Sequence, residues 1–364
     1  MFPRFAALAL GLTGALALTA CSAHSAARPG LPASVSDVPR GRMSEPPGAV
    51  ILTASASGAV VADPATRSYR GYTTAGDLVW TDRDAYRADA EVICAARCPD
   101  AVVSPAGGEP AWMWTGSRRV RPAVPTSARR VLAVRGRSDA VTVEDEGGNA
   151  RIRVDRADGT RTHVGVAGAA GVLWTESSAR SAALAVYGTP GRTGTGVLAF
   201  RRDGRGWRPS GPPVPAAGAW GACLAPDGRA VLAGPRGHLL ANGHMLPLAS
   251  DLPQVGECAA GRSGAVLAAR WVDPGGTPHT DLRGVDAAGR RTWARDVPAQ
   301  VDVAAHPSGR RFALTAQAVL EIVDLSGRTL ARLAGVSSAR YTEDGRLITL
   351  GQTGVPRWTN ADLS

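Results

Sequence analysis

The chain contains no lysine and only three asparagines, Asn149, Asn242 and Asn360, although it is 364 residues long. All 41 basic residues are therefore arginine, and the formal net charge is +10. Such a charge fits a basic face for anionic lipids, wall polymers or nucleic acid, whereas a GC-rich genome accounts equally well for an excess of arginine. The arginines are spread along the chain, and no nucleic-acid-binding motif accompanies them. Nucleic acid is therefore not an expected partner.

Motifs for catalysis and metal binding are also missing. No GxSxG, SxxK or DxDxDG segment occurs. The six histidines are His24, His163, His238, His244, His279 and His306, and no two of them have HxH or HExxH spacing. We therefore predict no catalytic residue, no metal site and no cofactor.

Two polar features are expected to have structural roles. His306 is expected to form a hydrogen bond within its own Pro-containing turn. The acidic run Glu144 to Glu146 is expected to lie in a solvated turn.

An uncharged apolar run, Phe5 to Ala17, follows Arg4 and leads to the segment Leu18-Thr19-Ala20-Cys21. The run is shorter than the about 20 apolar residues that a membrane-spanning helix requires. The segment resembles the lipobox of bacterial (actinobacterial-type) lipoproteins, which implies cleavage before Cys21 and acylation of that cysteine. A plain secretory signal and a short membrane anchor are the alternatives. The resemblance places the protein on the extracytoplasmic face of the cell membrane.

Four further cysteines follow: Cys94, Cys98, Cys223 and Cys258. An even number suits two disulfides in an oxidising compartment, and four cysteines allow three pairings. We favour Cys94–Cys98 together with Cys223–Cys258. Cys94 and Cys98 would hold one local insertion, and Cys223 and Cys258 occupy equivalent positions in two neighbouring repeats.

The domain organisation follows from composition. Residues 1–20 are the expected signal peptide. Residues 21–48 carry the lipidated cysteine and a stretch rich in Ser, Ala, Pro and Gly, which is typical of a disordered tether. Residues 49–364 show short apolar runs bounded by Gly, Pro or Asp, as in an all-β domain. Asp84 to Arg97 is the exception, because its composition predicts a helix.

Hairpin segments repeat through the C-terminal half. Cys223 to Ala233 aligns with Cys258 to Ala268, and both align with Ala304 to Leu314 and with Arg340 to Leu350. Two of these segments contain an Asp-Gly turn between apolar runs, Asp227-Gly228 and Asp344-Gly345, which is a strong hairpin signal. A unit of this size, about 35–40 residues, cannot bury its own faces and must stack on its neighbours.

The Pro-Asp-Gly-Arg turn resembles the repeats of WD40-like and YVTN-like propellers, and the Val-Asp-x-x-Gly-Arg hairpins resemble those of PQQ-like propellers. The resemblance implies a single β-propeller, and we count about seven four-stranded blades. The incomplete units at the two ends predict one blade closed by strands from both termini. Inner strands are expected near Pro99, Val131, Val172, Ala222, Glu257, Val303 and Arg340.

Trp112 and Trp114 alternate along one predicted strand and therefore share a face. They are candidates for a binding surface, with interior packing as the alternative. The function expected from these observations is a monomeric, non-catalytic platform, held at the membrane by its lipid, that binds a protein, peptide or cell-wall ligand. The alternative is an enzyme of the PQQ-like or lactonase-like type with a metal in the central channel, which the scarcity of asparagine disfavours.

Overall fold

The structure is a computed structural model that describes residues 48–359 except 88–89, 96, 106–108, 123, 125–127, 136–138, 147–148, 167–171, 177–181, 189–195, 217, 220, 236, 242–243, 249–251 and 253. The expected signal peptide, Cys21 and nearly all of the expected tether lie outside this part of the chain. Within it, the regular elements are β-strands. No helix of the described residues is long and apolar enough to cross a bilayer.

The strands form eight consecutive antiparallel sheets, which we call blades 1 to 8. Blades 1 to 4 contain β1 Val50–Ser55, β2 Gly58–Asp63, β3 Ser68–Thr73, β4 Leu78–Asp82; β5 Glu91–Cys94, β6 Ala101–Ser104, β7 Trp112–Thr115, β8 Arg118–Val120; β9 Ala128–Arg135, β10 Asp139–Glu146, β11 Asn149–Asp155, β12 Arg161–Val166; β13 Val172–Glu176, β14 Ala182–Tyr187, β15 Gly196–Asp203, β16 Gly206–Pro209 and β17 Val214–Pro215. Blades 5 to 8 contain β18 Gly221–Leu224, β19 Ala230–Pro235, β20 His238–Ala241, β21 His244–Pro247, β22 Gln254–Val255; β23 Glu257–Ala260, β24 Gly264–Val272, β25 Pro278–Asp286, β26 Arg291–Val297; β27 Asp302–Ala305, β28 Arg311–Ala316, β29 Val319–Asp324, β30 Thr329–Ala334; β31 Val336–Tyr341, β32 Leu347–Gly351 and β33 Pro356–Thr359.

The first strand of each sheet is the innermost, and the first strands of successive blades pack around an axis, with blades 3 and 4 joined through a shared apolar cluster. β1 also packs against β31, so the ring closes between blade 1 and blade 8. The chain is thus an all-β propeller, as expected. It has eight blades, and the expected number of about seven is wrong.

The error in the count comes from the N-terminal third of the domain. Val50–Ser55 is a complete inner strand, and blade 1 has four strands of its own. The predicted helix from Asp84 to Arg97 is wrong, because this segment contains the inner strand Glu91–Cys94. Pro99 lies in the turn that follows this strand and not in an inner strand. The other six inner strands lie where they were expected.

The expected closure of one blade by strands from both ends is also wrong for the described residues. Blade 8 is a three-stranded sheet that contains only C-terminal strands. Its contact with blade 1 is made by side chains: the Ile51 N–H donates to Ser338 Oγ at 3.2 Å, and Ser337 Oγ donates to the Ala49 carbonyl at 3.1 Å. The ring therefore closes by packing one sheet on another.

The apolar core is divided into eight clusters of buried side chains, and each cluster lies between two neighbouring blades. Strand alternation explains this division, because successive side chains point to opposite faces of a sheet. In β28, Phe312 and Leu314 pack toward blade 6, and Ala313 packs toward blade 8. A blade removed from the ring would expose both of its apolar faces.

The arginines of the Asp-Gly-Arg turns join neighbouring blades. Arg229 in blade 5 pairs with Asp227 of its own turn and donates to the Ala287 carbonyl of blade 6 at 2.6 Å. Arg346 in blade 8 pairs with Asp344 at 2.8 Å and donates to the Ala56 carbonyl of blade 1 at 2.5 Å. Guanidinium groups suit this position because their several donors reach a carboxylate and a carbonyl together.

Replacing Arg346 with alanine should lower the free energy of unfolding by about 1.5–3 kcal/mol, the usual contribution of a hydrogen bond to a charged group. The matched control is Arg328→Ala. Arg328 pairs with Asp324 of its own turn in the same way but is 76% exposed. We expect the control to cost less than about 1 kcal/mol. Equal losses in urea unfolding would show that Arg346 does not hold the closing interface.

Candidate functional site at the first mouth

The charged side chains at the axis lie where the inner strands begin, an end of the ring that we call the first mouth. Glu257 and Asp302 are the first residues of β23 and β27. Arg270, near the end of β24, bridges them: its guanidinium lies 2.5 Å from Glu257 Oε2 and 2.8 Å from Asp302 Oδ1. Arg270 also donates to the Val301 carbonyl at 2.8 Å.

Glu257 is enclosed by protein but still in contact with water. Burial raises the pKa of its carboxyl group, and the Asp302 charge adds to that rise. Arg270, Arg340 and a hydrogen bond from the Val303 N–H oppose it. Because 32% of the side chain is nevertheless exposed, we conclude that it faces solvent in an axial channel.

Arg340 lies on the inner strand β31 of blade 8, next to its last residue. Its charge acts on Glu257, although the two residues lie on blades separated by the whole of blade 7. Such an approach is possible only near the axis, where the inner strands converge. Arg340 donates to the Ala339 carbonyl at 3.1 Å. Among the described residues, no carboxylate lies within ion-pair distance of its guanidinium group.

A second charged pair lies at the axis on blades 2 and 3. Arg130 Nε donates to Glu91 Oε2 at 2.9 Å, and Arg130 Nη1 donates to the Val172 carbonyl at 2.6 Å. Glu91 is the first residue of β5, which is the position equivalent to that of Glu257 in blade 6. Glu91, Glu257 and Asp302 are therefore all paired with arginine.

A hairpin of blade 6 extends the rim of the first mouth. Its strands β24 and β25 have nine residues each, against six in β28 and β29 of blade 7. Trp271 stacks on His279 with ring centroids 4.2 Å apart. His279 Nε2 lies 3.4 Å from Asp273 Oδ2. Beside this stack, Val272 is 61% exposed.

The four cysteines of the propeller lie in two places. The structure joins Cys94 to Cys98 and Cys223 to Cys258, the pairing favoured from the sequence. Cys94–Cys98 connects the end of β5 with the turn before β6, and Cys223–Cys258 links the inner strands of blades 5 and 6. Neither pair has free thiols for metal or redox chemistry.

Trp112 and Trp114 lie at the contact between blades 1 and 2. Trp114 stacks on Trp80 with ring centroids 5.1 Å apart and donates to Asp82 Oδ2 at 2.8 Å. Guanidinium groups cover Trp112: those of Arg119 and Arg121 lie 4.1 and 3.5 Å from its ring centroid. The structure thus places both tryptophans among contacts within the protein.

Two smaller expectations have different outcomes. The Ser308 N–H donates to His306 Nδ1 at 3.1 Å, so the expected turn hydrogen bond of His306 is confirmed. The solvated turn expected for Glu144 to Glu146 is wrong, because these residues end strand β10. Glu144 pairs with Arg153 at 3.4 Å and is mostly buried.

The carboxylates of the channel do not fit the metal implied by an enzyme of the PQQ-like or lactonase-like type. A cation would need several convergent oxygen or nitrogen ligands. Glu257 and Asp302 share the guanidinium of Arg270, and Glu91 is held by Arg130. Within the described part of the chain, no three His, Cys, Asp or Glu side chains converge in a metal-binding arrangement.

The sequence carried only a weak signal for this site. Glu257-Cys258-Ala259-Ala260 and Asp302-Val303-Ala304-Ala305 both begin with an acid, and each lies at the start of an inner strand. That shared position could have marked both acids as neighbours at the axis. Nothing near Arg270 in the sequence indicates that it lies beside these acids.

The order of the sheets and their closure define the chain as an eight-bladed β-propeller with a charged axial channel. Neither the family models nor the curated proteins include a match. Among solved structures, it is similar to hydrazine synthase of Kuenenia stuttgartiensis, at 10% identity over 75% of this chain and 95% of that chain, with a TM-score of 0.44. It is also similar to the WD40 domain of Neurospora crassa Pan2, at 9% identity over 75% of this chain and 89% of that chain, with a TM-score of 0.48. Kluyveromyces lactis Hsv2 is similar over 86% of this chain and 98% of its own, at 10% identity and a TM-score of 0.39. At these values the likeness concerns the fold alone.

Purified full-length protein should contain less than one equivalent of any divalent metal, because arginines occupy the channel carboxylates. Elemental analysis by mass spectrometry measures this directly. The opposite result would be one equivalent of a metal that is lost in Glu257→Gln and kept in the control Glu321→Gln. Glu321 is also paired with an arginine, Arg295, but lies on β29, away from the inner strands.

Proposed function

We propose that this protein is a non-catalytic binding platform, anchored by a lipid to the extracytoplasmic face of a bacterial membrane. The single observation that carries the non-catalytic assignment is the pairing of Glu91, Glu257 and Asp302 with arginine. Paired carboxylates are poor general bases and poor metal ligands, because the guanidinium group occupies their oxygens.

The binding face that we assign is the first mouth. The blade 6 hairpin raises an aromatic pair, Trp271 and His279, together with the exposed Val272, beside the charged channel. An aromatic group next to polar side chains is the usual composition of a recognition surface. The expected ligand is a protein, a peptide or a cell-wall component, and the platform acts as a monomer.

The cellular setting rests on the sequence. Leu18-Thr19-Ala20-Cys21 matches a lipobox, and the two disulfides of the domain suit an oxidising compartment. In this arrangement the residues between Cys21 and Gly48 connect the lipid to the first strand of the ring. The anchor restricts the platform to ligands near the membrane surface.

Replacing Cys21 with alanine should remove the lipid and release the protein from the membrane. Metabolic labelling with an alkyne fatty acid and cell fractionation measure the two effects separately. The matched control is Ser22→Ala, which leaves the modified position intact and should keep both label and location. Unchanged labelling and unchanged membrane retention in Cys21→Ala would refute the anchor.

A photo-crosslinking amino acid at Val272 should capture a cell-envelope component in intact cells. The same amino acid at Leu78, on outer strand β4, is the control, because Leu78 is 55% exposed and Val272 is 61% exposed. Crosslinked products are compared by gel electrophoresis and mass spectrometry. The same products from both positions, or products from Leu78 alone, would place the binding face elsewhere.

A further inference from the structure

The turns that follow the inner strands of blades 6 and 7 contain arginine but no acid. They lie where the inner strands end, an end of the ring that we call the second mouth. In blade 5 the corresponding turn contains Asp227 and Arg229, which pair at 2.6 Å. In the repeat alignment, Arg262 of blade 6 takes the position of Asp227. In blade 7, Ser308 takes that position and Arg310 takes the position of Arg229.

The charge of these two arginines is not compensated within the described part of the chain. Four other turn arginines each pair with an aspartate of their own turn: Arg229, Arg290, Arg328 and Arg346. Arg262 and Arg310 are exposed, and no described carboxylate lies within ion-pair distance of either guanidinium group. The neighbouring inner turns contain Asp227 in blade 5 and Glu343 and Asp344 in blade 8, and both aspartates are already paired.

Main-chain hydrogen bonds join the two turns directly. The Ser263 N–H donates to the Ser308 carbonyl at 2.8 Å, and the Arg262 N–H donates to the Pro307 carbonyl at 3.0 Å. Ser308 Oγ accepts the Arg310 N–H at 3.3 Å. We call residues 261–263 and 306–310 the paired turns. Because their backbones are fixed against each other, the two exposed arginines are held as neighbours at the second mouth.

We propose that the paired turns bind a phosphate group of an anionic polymer through Arg262 and Arg310. The site lies at the opposite end of the ring from the first mouth. The proposal therefore goes beyond the proposed function and does not rest on it.

The chemistry of the paired turns suits a phosphate better than a carboxylate. One guanidinium fork occupies both oxygens of a carboxylate, whereas a phosphate has further oxygens for a second arginine. Neither turn contains an acid that would repel a doubly charged group.

The exposure of the two arginines favours a polymer over a single small anion. Exposed ion pairs are weak and are screened by salt, so one phosphate alone gains little affinity. Successive phosphates of a polymer raise the effective concentration at the site and strengthen the binding. The inner strand of blade 1 begins at Val50 at the first mouth, so the chain enters the ring at the end remote from the paired turns. This position favours a polymer over the headgroups of the membrane that carries the proposed anchor.

The test is calorimetric titration of the full-length protein, in a nonionic detergent at low ionic strength, with inorganic tripolyphosphate. We expect saturable binding, which the double variant Arg262→Gln, Arg310→Gln weakens about tenfold or more. The matched control is Arg290→Gln, Arg328→Gln. It removes the same charge from the outer turns of the same two blades, where the arginines are 79% and 76% exposed and paired with aspartate. The control should bind as the unmodified protein does.

A third variant tests the missing acid without removing an arginine. Ser308→Asp recreates the Asp-Gly-Arg turn of blade 5, so the new aspartate should pair with Arg310 and weaken the binding about as much as Arg310→Gln does. The proposal is overturned by the absence of saturable binding, by equal losses in the two double variants, or by unchanged affinity in Ser308→Asp.

Vesicle sedimentation distinguishes the polymer from a lipid headgroup. Cys21→Ala protein is mixed with phosphatidylcholine vesicles that contain phosphatidylglycerol, with and without the changes at Arg262 and Arg310. Equal sedimentation of the two proteins supports the polymer. A loss of sedimentation caused by the two changes would identify a lipid headgroup and overturn the polymer as the ligand. The fractionation of Cys21→Ala and the crosslinking at Val272 test the proposed function separately.

Discussion

The convergence of eight inner strands on one axis is the constraint on which the rest of the structure depends. An inner strand pairs with its own blade on one side only, so its other edge lacks a backbone partner. Side chains of neighbouring blades form hydrogen bonds with backbone groups of the inner strands instead. Thr175 Oγ1 donates to the Ala222 carbonyl at 3.0 Å, Arg130 donates to the Val172 carbonyl, and Ser338 Oγ accepts the Ile51 N–H. The ring is therefore held by side chains at its centre and by apolar clusters between its blades.

The repeats predicted the fold where each turn had a chemical signature. Asp227-Gly228-Arg229 and Asp344-Gly345-Arg346 mark turns after inner strands, and their units were placed correctly. Blade 1 lacks this signature, because Ser55 pairs with Gly58 across a two-residue turn of Ala56 and Ser57. The inner strand of blade 2 was expected near Pro99 and lies earlier, at Glu91–Cys94, because its four residues fall inside a segment of helical composition. Local composition could not reveal that the ring required a strand at this position.

The candidate site was less predictable than the fold, for a physical reason. Glu257, Arg270 and Asp302 belong to two neighbouring blades and meet because the inner strands of these blades pack side by side. Trp112 and Trp114 stood out in the sequence as an aromatic pair, yet their rings are engaged by Trp80 and by arginines. A prominent local motif thus served packing, and separate ordinary residues formed the charged channel.

The absence of lysine has a structural counterpart in how the arginines are used. Arg229, Arg270 and Arg346 each contact a carboxylate and a backbone carbonyl at the same time, and in each case the contacts connect two blades. The single ammonium group of lysine cannot reproduce this planar set of donors. Whatever its origin in codon usage, part of the arginine excess is used in ion pairs within the ring.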